Sequence, residues 1–167
     1  MFKLNLLKNV FAKLSFIIAK TKLFWLGLEV SHMAFVNREN ASPFYPHIVD
    51  VLPSQARKLW KSKKVLVLDI RTPYEYEDHH IPGALLVPLD YLPYLINKVQ
   101  DREVVVVCEH GNRAYYATYG MPDIWKGKRA YYLVGGMAYW MGMGYEVESG
   151  MDENGLLWQK WLEESRF

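Results

Sequence analysis

Cysteine is almost missing from this 167-residue chain, which has one, Cys108. A lone thiol forms no internal disulfide, no dithiol redox pair and no zinc site that needs two or more thiolates. The disulfide-scaffold class is therefore excluded, and a reducing, intracellular (cytoplasmic) setting is expected. Long hydrophobic runs are missing too. The longest charge-free stretch, Ala130 to Tyr145, has 16 residues, four of them glycine, short of the ~20 apolar residues of a membrane-spanning helix. Residues 1–28 contain no acid and no arginine but five lysines, whose recurrence leaves no apolar core for a secretory signal. Residues 29–167 hold 15 basic against 18 acidic side chains, a net −3, so the body lacks the basic surplus of a nucleic-acid binder. What remains, 51% hydrophobic and 23% charged, is the composition of one ordinary globular domain plus an appendage.

On a helical wheel, Leu4, Leu6, Leu7, Val10, Phe11, Leu14, Ile17 and Ile18 fall on one side, with Asn5, Lys8, Asn9, Lys13, Ser15 and Lys20 opposite. Residues 4–20 are thus expected to form a basic amphipathic helix within an N-terminal extension over 1–36. Three uses fit that pattern: packing on its own domain or on a partner protein, peripheral docking at a membrane surface, or targeting, against which the absence of arginine counts. Asn37, Asn40, Ser42 and Pro43 mark a linker over 37–45.

From residue 46 to about 150, apolar runs alternate with helical patterns. His47–Val51 precedes a helix opened near Pro53, Val65–Ile70 a loop, and Ala84–Val87 a helix over Tyr91–Val99. Val104–Val107 precedes a helix after Gly111, and Ala130–Val134 a helix over Met137–Met141. Continuous runs such as Val65-Leu66-Val67-Leu68 and Val104-Val105-Val106-Val107 suit strands covered on both faces, so the fold class is α/β with a mainly parallel sheet. In 151–167, Leu157, Trp158, Trp161 and Leu162 share a stripe and predict a C-terminal helix over Leu156–Glu164.

In an open parallel sheet, ligands bind beyond the carboxyl ends of strands. Cys108 stands there, in the run Val107-Cys108-Glu109-His110-Gly111-Asn112-Arg113. A loop whose successive N–H groups point inward cradles an anion, and Gly111 permits the backbone conformation this needs. Such a cradle suits a thiolate, a persulfide or an oxyanion. The alternative for an isolated cysteine is a small buried hydrophobe.

Five segments in order complete the pattern: Leu68-Asp69-Ile70-Arg71, Glu75-Tyr76, His80-Ile81-Pro82-Gly83-Ala84, the Cys108–Arg113 run, and Leu133-Val134-Gly135-Gly136 followed by Trp140. In this order they resemble the single-domain rhodanese, or sulfurtransferase-like, family over 46–150. The resemblance implies a three-layer fold with a five-stranded sheet and helices on both faces. It implies that Cys108 is the catalytic nucleophile and persulfide carrier, that the N–H groups of Glu109, His110, Gly111, Asn112 and Arg113 form the binding loop, and that Arg113 anchors that loop or faces the anion. Asp69 and Arg71 would be a supporting ion pair, and His80 a supporting turn residue. Gly135-Gly136 and Trp140 would be turn and core. Six loop residues, as here, are the rhodanese count, whereas phosphatases of similar fold use seven.

The expected function is therefore transfer of a sulfane sulfur from thiosulfate or a persulfide to a thiophilic acceptor, with no metal and no cofactor. Glu109 and His110 depart from the basic loops of thiosulfate users, and the Glu109 carboxylate is expected to repel a dianionic donor. Pro122 predicts a break in the helix after the loop. With no second cysteine, the acceptor must be external: cyanide, a small thiol or a protein. A non-catalytic binding module, and a small phosphatase or arsenate reductase, are the alternative readings.

Overall fold

The computed structural model describes residues 41–99 and 102–165, within the unit Val36–Phe167. The expected extension over 1–36, with its amphipathic helix, lies outside the described residues. Strands β1 (Ile48–Val51), β2 (Val65–Asp69), β3 (Leu85–Leu86), β4 (Glu103–Val107) and β5 (Ala130–Leu133) form one sheet in the order β1-β5-β4-β2-β3, with every pairing parallel. Val104 to Val107 and Ala130 to Leu133 are all buried, which is why these strands read as unbroken apolar runs rather than alternating ones.

The helices are α1 (Pro53–Lys61), α2 (Pro73–Asp78), α3 (Leu92–Leu95), α4 (Asn112–Tyr115), α5 (Gly136–Gly142) and α6 (Glu153–Glu164). The chain crosses the sheet one way from β1 to β2 and the other way from β4 to β5, so right-handed crossovers put α1 and α4 on opposite faces. On the α1 face, Trp60 packs edge-on against Trp140 of α5, with ring centroids 5.9 Å apart. The three-layer α/β fold is thus as expected.

Four local expectations are corrected. The loop expected after β2 contains α2, started by a capping box: Thr72 Oγ1 accepts from the Glu75 N–H at 3.3 Å, and the Glu75 carboxylate accepts from the Thr72 N–H at 2.9 Å. The helix has six residues and buries only Tyr76, so hydrophobic periodicity carries no trace of it. The continuous helix expected over Tyr91–Val99 is a 3-10 turn (Leu89–Tyr91), α3 and a second 3-10 turn (Ile96–Lys98); Pro93, in the first turn of α3, has no N–H to carry an α-helical ladder on from Leu89–Tyr91.

The C-terminal helix begins three residues early, at Glu153, where the Asp152 carboxylate accepts from the Gly155 N–H at 2.8 Å. It belongs to the domain: Trp158 is buried and stacks on Tyr91, centroids 5.1 Å apart. The fourth correction concerns the linker, whose described part folds back on the sheet edge. Ala41 bridges Val49, and the Ser42 N–H donates to the Ile48 carbonyl at 3.0 Å. The break before Pro122 is present: α4 runs into a π-helical turn, Tyr116–Gly120, and then a 3-10 turn, Pro122–Trp125. Among the described residues, no helix is long and apolar enough to cross a membrane.

Candidate active site

Cys108 is the first residue past β4 and is 1% exposed. From there the chain wraps through Glu109, His110 and Gly111 into α4. Gly111 takes φ +97°, a conformation glycine enters without steric cost. This bend turns its N–H onto the Cys108 sulfur at 3.1 Å, and the Ala114 N–H reaches the same sulfur at 3.3 Å. The donors on Sγ are therefore those of Gly111 and Ala114, rather than the whole set from Glu109 to Arg113. Ala114 lies one residue beyond the expected loop, because the first turn of α4 brings its amide back over the sulfur. Two amide donors on the sulfur distinguish Cys108 from a cysteine packed only among apolar side chains.

The loop's carbonyls are held from the opposite side by α5. Met137 N–H donates to the Cys108 carbonyl and Ala138 N–H to the Glu109 carbonyl, both at 2.9 Å. The approach is close enough that a Cβ on Gly136 would lie 2.2 Å from the Cys108 oxygen and 2.6 Å from that of Glu109. The glycine pair read as a turn is therefore also the surface on which the loop rests.

Arg71 holds the loop's second residue. Its fully buried guanidinium donates from Nε and Nη2 to the Asp69 carboxylate, from Nη2 to the His79 carbonyl, and from Nη1 to Glu109 Oε2 at 2.6 Å and His79 Nε2 at 3.1 Å. Burial works against its charge, but the hydrogen bonds and attraction of Asp69 and then Glu109 outweigh it, and its pKa is raised. His79 Nε2 also lies 3.3 Å from Glu109 Oε2, and its Nδ1 lies 2.7 Å from Asp78 Oδ2. Arg71 is shared between Asp69 and Glu109, so the expected repulsion of a dianion by Glu109 is weakened in part by a partner that the sequence did not reveal.

Both terminal nitrogens of Arg113 are engaged by Glu75, the capping-box residue of α2. Of the two roles expected for it, this pairing fits the anchor. The Arg113 hydrogen bonds, more than its charge alone, hold the Glu75 carboxyl at a pKa of about 2 against an ordinary 4.5. Asn112 opens α4 and, like His110, has an exposed side chain. His80 is buried and stands apart from this network: its ring stacks on Tyr76 with centroids 3.8 Å apart, its Nδ1 lies 2.8 Å from the Tyr76 carbonyl, and its backbone pairs with Glu148.

Site residues with no role in the sequence reading are Glu75 as loop anchor, His79, Ala114 and the amides of α5. The capping box Thr72-Pro73-x-Glu75 was a legible signal for α2, although not for the contact between Glu75 and Arg113. The model for the Rhodanese-like domain matches residues 52–143.

The chain belongs to the rhodanese-like family.

A sulfurtransferase of Allochromatium vinosum is 34% identical to this rhodanese-like chain over 95 residues, which cover 56% of it and 88% of the relative. Thiosulfate sulfurtransferase GlpE of Pseudomonas syringae is 33% identical over 94 residues, covering 53% and 82%. The crystal structure of a rhodanese-related protein from Thermoplasma volcanium superposes with a TM-score of 0.54 at 25% identity, covering 59% of this chain and 96% of that one. These relatives support a sulfurtransferase-type family for the domain around Cys108.

Proposed function

We propose that this rhodanese-like protein is a sulfurtransferase that carries sulfur as a persulfide on Cys108. The observation that carries the reading is the pair of amide donors, Gly111 and Ala114, on the sulfur of a cysteine that closes a strand and opens a tight loop. Such donors favour sulfur as an anion, the form that attacks. The Cys108 thiolate attacks the outer sulfur of a thiosulfate or persulfide donor. One S–S bond forms, and the donor's S–S bond breaks with its electron pair leaving on sulfite or on a thiolate. An acceptor thiolate then attacks the outer sulfur of the Cys108 persulfide, forms a new S–S bond and returns Cys108 as thiolate, so no external oxidant is needed.

With one cysteine in the chain, the acceptor is another molecule: a small thiol or a protein in a reducing compartment, or cyanide in an assay. The six-residue loop from Cys108 to Arg113 supports sulfur over phosphate as cargo. No free arginine lines the described loop, since Arg71 and Arg113 are both committed to carboxylates. This supports a persulfide donor over dianionic thiosulfate.

Incubating the full chain with a sulfur donor should add about 32 Da, one sulfur atom, in a form discharged by dithiothreitol. Cys108→Ser should take up none. Uptake by the serine variant, or no uptake by the parent from either donor class, would overturn the reading and favour a binding module.

A further inference from the structure

Among the described residues, three buried side-chain polar atoms have no hydrogen-bond partner: His80 Nε2, Trp158 Nε1 and the Tyr132 hydroxyl. Of the three, Tyr132 abuts the candidate site. It lies in β5 opposite Val106, two residues before Cys108, and a Cβ on Gly111 would stand 2.7 Å from its hydroxyl oxygen. Gly111 is the residue whose N–H holds the Cys108 sulfur. The hydroxyl therefore rests against the Cα of Gly111, where a side chain would otherwise stand, next to the peptide whose N–H meets the sulfur.

Its neighbours make the missing partner more telling. Tyr115 and Tyr119 pack edge-on against the Tyr132 ring, at 5.7 and 6.4 Å. Tyr119, in the same cluster, gives its hydroxyl proton to Asp50. Tyr132 is 2% exposed and has no such acceptor. A buried, unpaired O–H is unfavourable, and phenylalanine would fill the same space without that penalty. Burial and, after it, the charge of Cys108 push the Tyr132 pKa up, so the group stays a protonated dipole that is free to orient.

We propose that Tyr132 is a positioning residue for the sulfur of Cys108: its unpaired hydroxyl turns its positive end toward the loop and, across Gly111, favours the anionic sulfur over the neutral thiol. A buried dipole beside the cradle, free to orient in the field of the sulfur, acts on the charge without touching it. The same field acts on the anionic outer sulfur of a persulfide; that half of the inference rests on the proposed sulfur transfer, and the thiolate half does not.

The test compares the full chain with its Tyr132→Phe variant, using iodoacetamide as the probe of Cys108 between pH 5.5 and 9, together with thermal unfolding. In the variant, alkylation at pH 6 should slow roughly three- to tenfold. Its pH profile should move to higher pH and meet the parent's at the alkaline end, and the thermal midpoint should stay the same or rise. Superimposable profiles overturn the proposal. A displaced profile accompanied by a midpoint several degrees lower also overturns it, because Tyr132 would then be a packing residue. Loading both proteins with inorganic polysulfide keeps the two readings apart. If the parent takes up no sulfur, the proposed function fails while alkylation still decides Tyr132; if both take it up and lose it to dithiothreitol at equal rates, the persulfide half fails.

Discussion

Replacing Arg71 with methionine should be among the most damaging single changes available outside the hydrophobic core. The guanidinium is 0% exposed, and its Nε, Nη1 and Nη2 groups all donate, to Asp69, Glu109 and both the ring and the carbonyl of His79. Methionine keeps much of the length and none of these donors. Asp69, 1% exposed, keeps the N–H of residue 71 at 3.0 Å and loses its countercharge. Breaking one side of a buried pair costs about 3–5 kcal/mol, because a charge is left uncompensated. Glu109 is 21% exposed and can turn to water, so it adds little.

For a domain of this size each kcal/mol is worth about 3–5 °C, so thermal unfolding should show a midpoint about 10–20 °C lower. Arg57→Met, which breaks a bidentate pair with Glu146 whose partners are 39% and 35% exposed, should shift the midpoint far less, since solvent screens it. The double variant Asp69→Asn/Arg71→Met, with neither charge present, should recover at least half of the loss. If Arg71→Met melts no lower than Arg57→Met, the reasoning about buried charge at this site is refuted.

Gly136→Ala should cost about 3 kcal/mol or more, from the left-handed φ of +59° and from overpacking on the loop carbonyls. Gly83→Ala, at φ +73° with open space around it, should cost only about 1–2 kcal/mol; urea midpoints that failed to separate the two would contradict the close approach seen between α5 and the loop. Glu75 has a folded pKa of about 2, below its ordinary 4.5. Its pairing with Arg113 therefore stabilises the fold fully above about pH 4.5 and is lost as the pH falls toward about 2. Glu75→Gln should lower stability at pH 7 and flatten the decline of stability between pH 4.5 and 2; parallel declines in parent and variant would count against the pairing.

Much of the site is legible in the sequence. Val104 to Cys108 announced a buried strand with a cysteine at its carboxyl end, and Gly111 announced the bend that follows. The short α2 was not found through periodicity because six residues with a single buried side chain have no stripe to repeat. The breaks at Pro93 and Pro122 illustrate a different case. Proline removes a local donor wherever it stands, so both are readable from sequence.

The sequence by itself determined the parallel sheet, the position of Cys108 and the family, since unbroken apolar runs, loop chemistry and motif order are properties of neighbouring residues. Tertiary structure alone decided what surrounds the sulfur. Arg71 with Glu109, 38 residues apart, Arg113 with Glu75, also 38 apart, and Tyr132 behind Gly111 meet only because parallel strands bring distant chain ends to one edge. The strength of each contact depends on how deeply its charged or polar side chains are buried, which apolar runs and motif order do not encode.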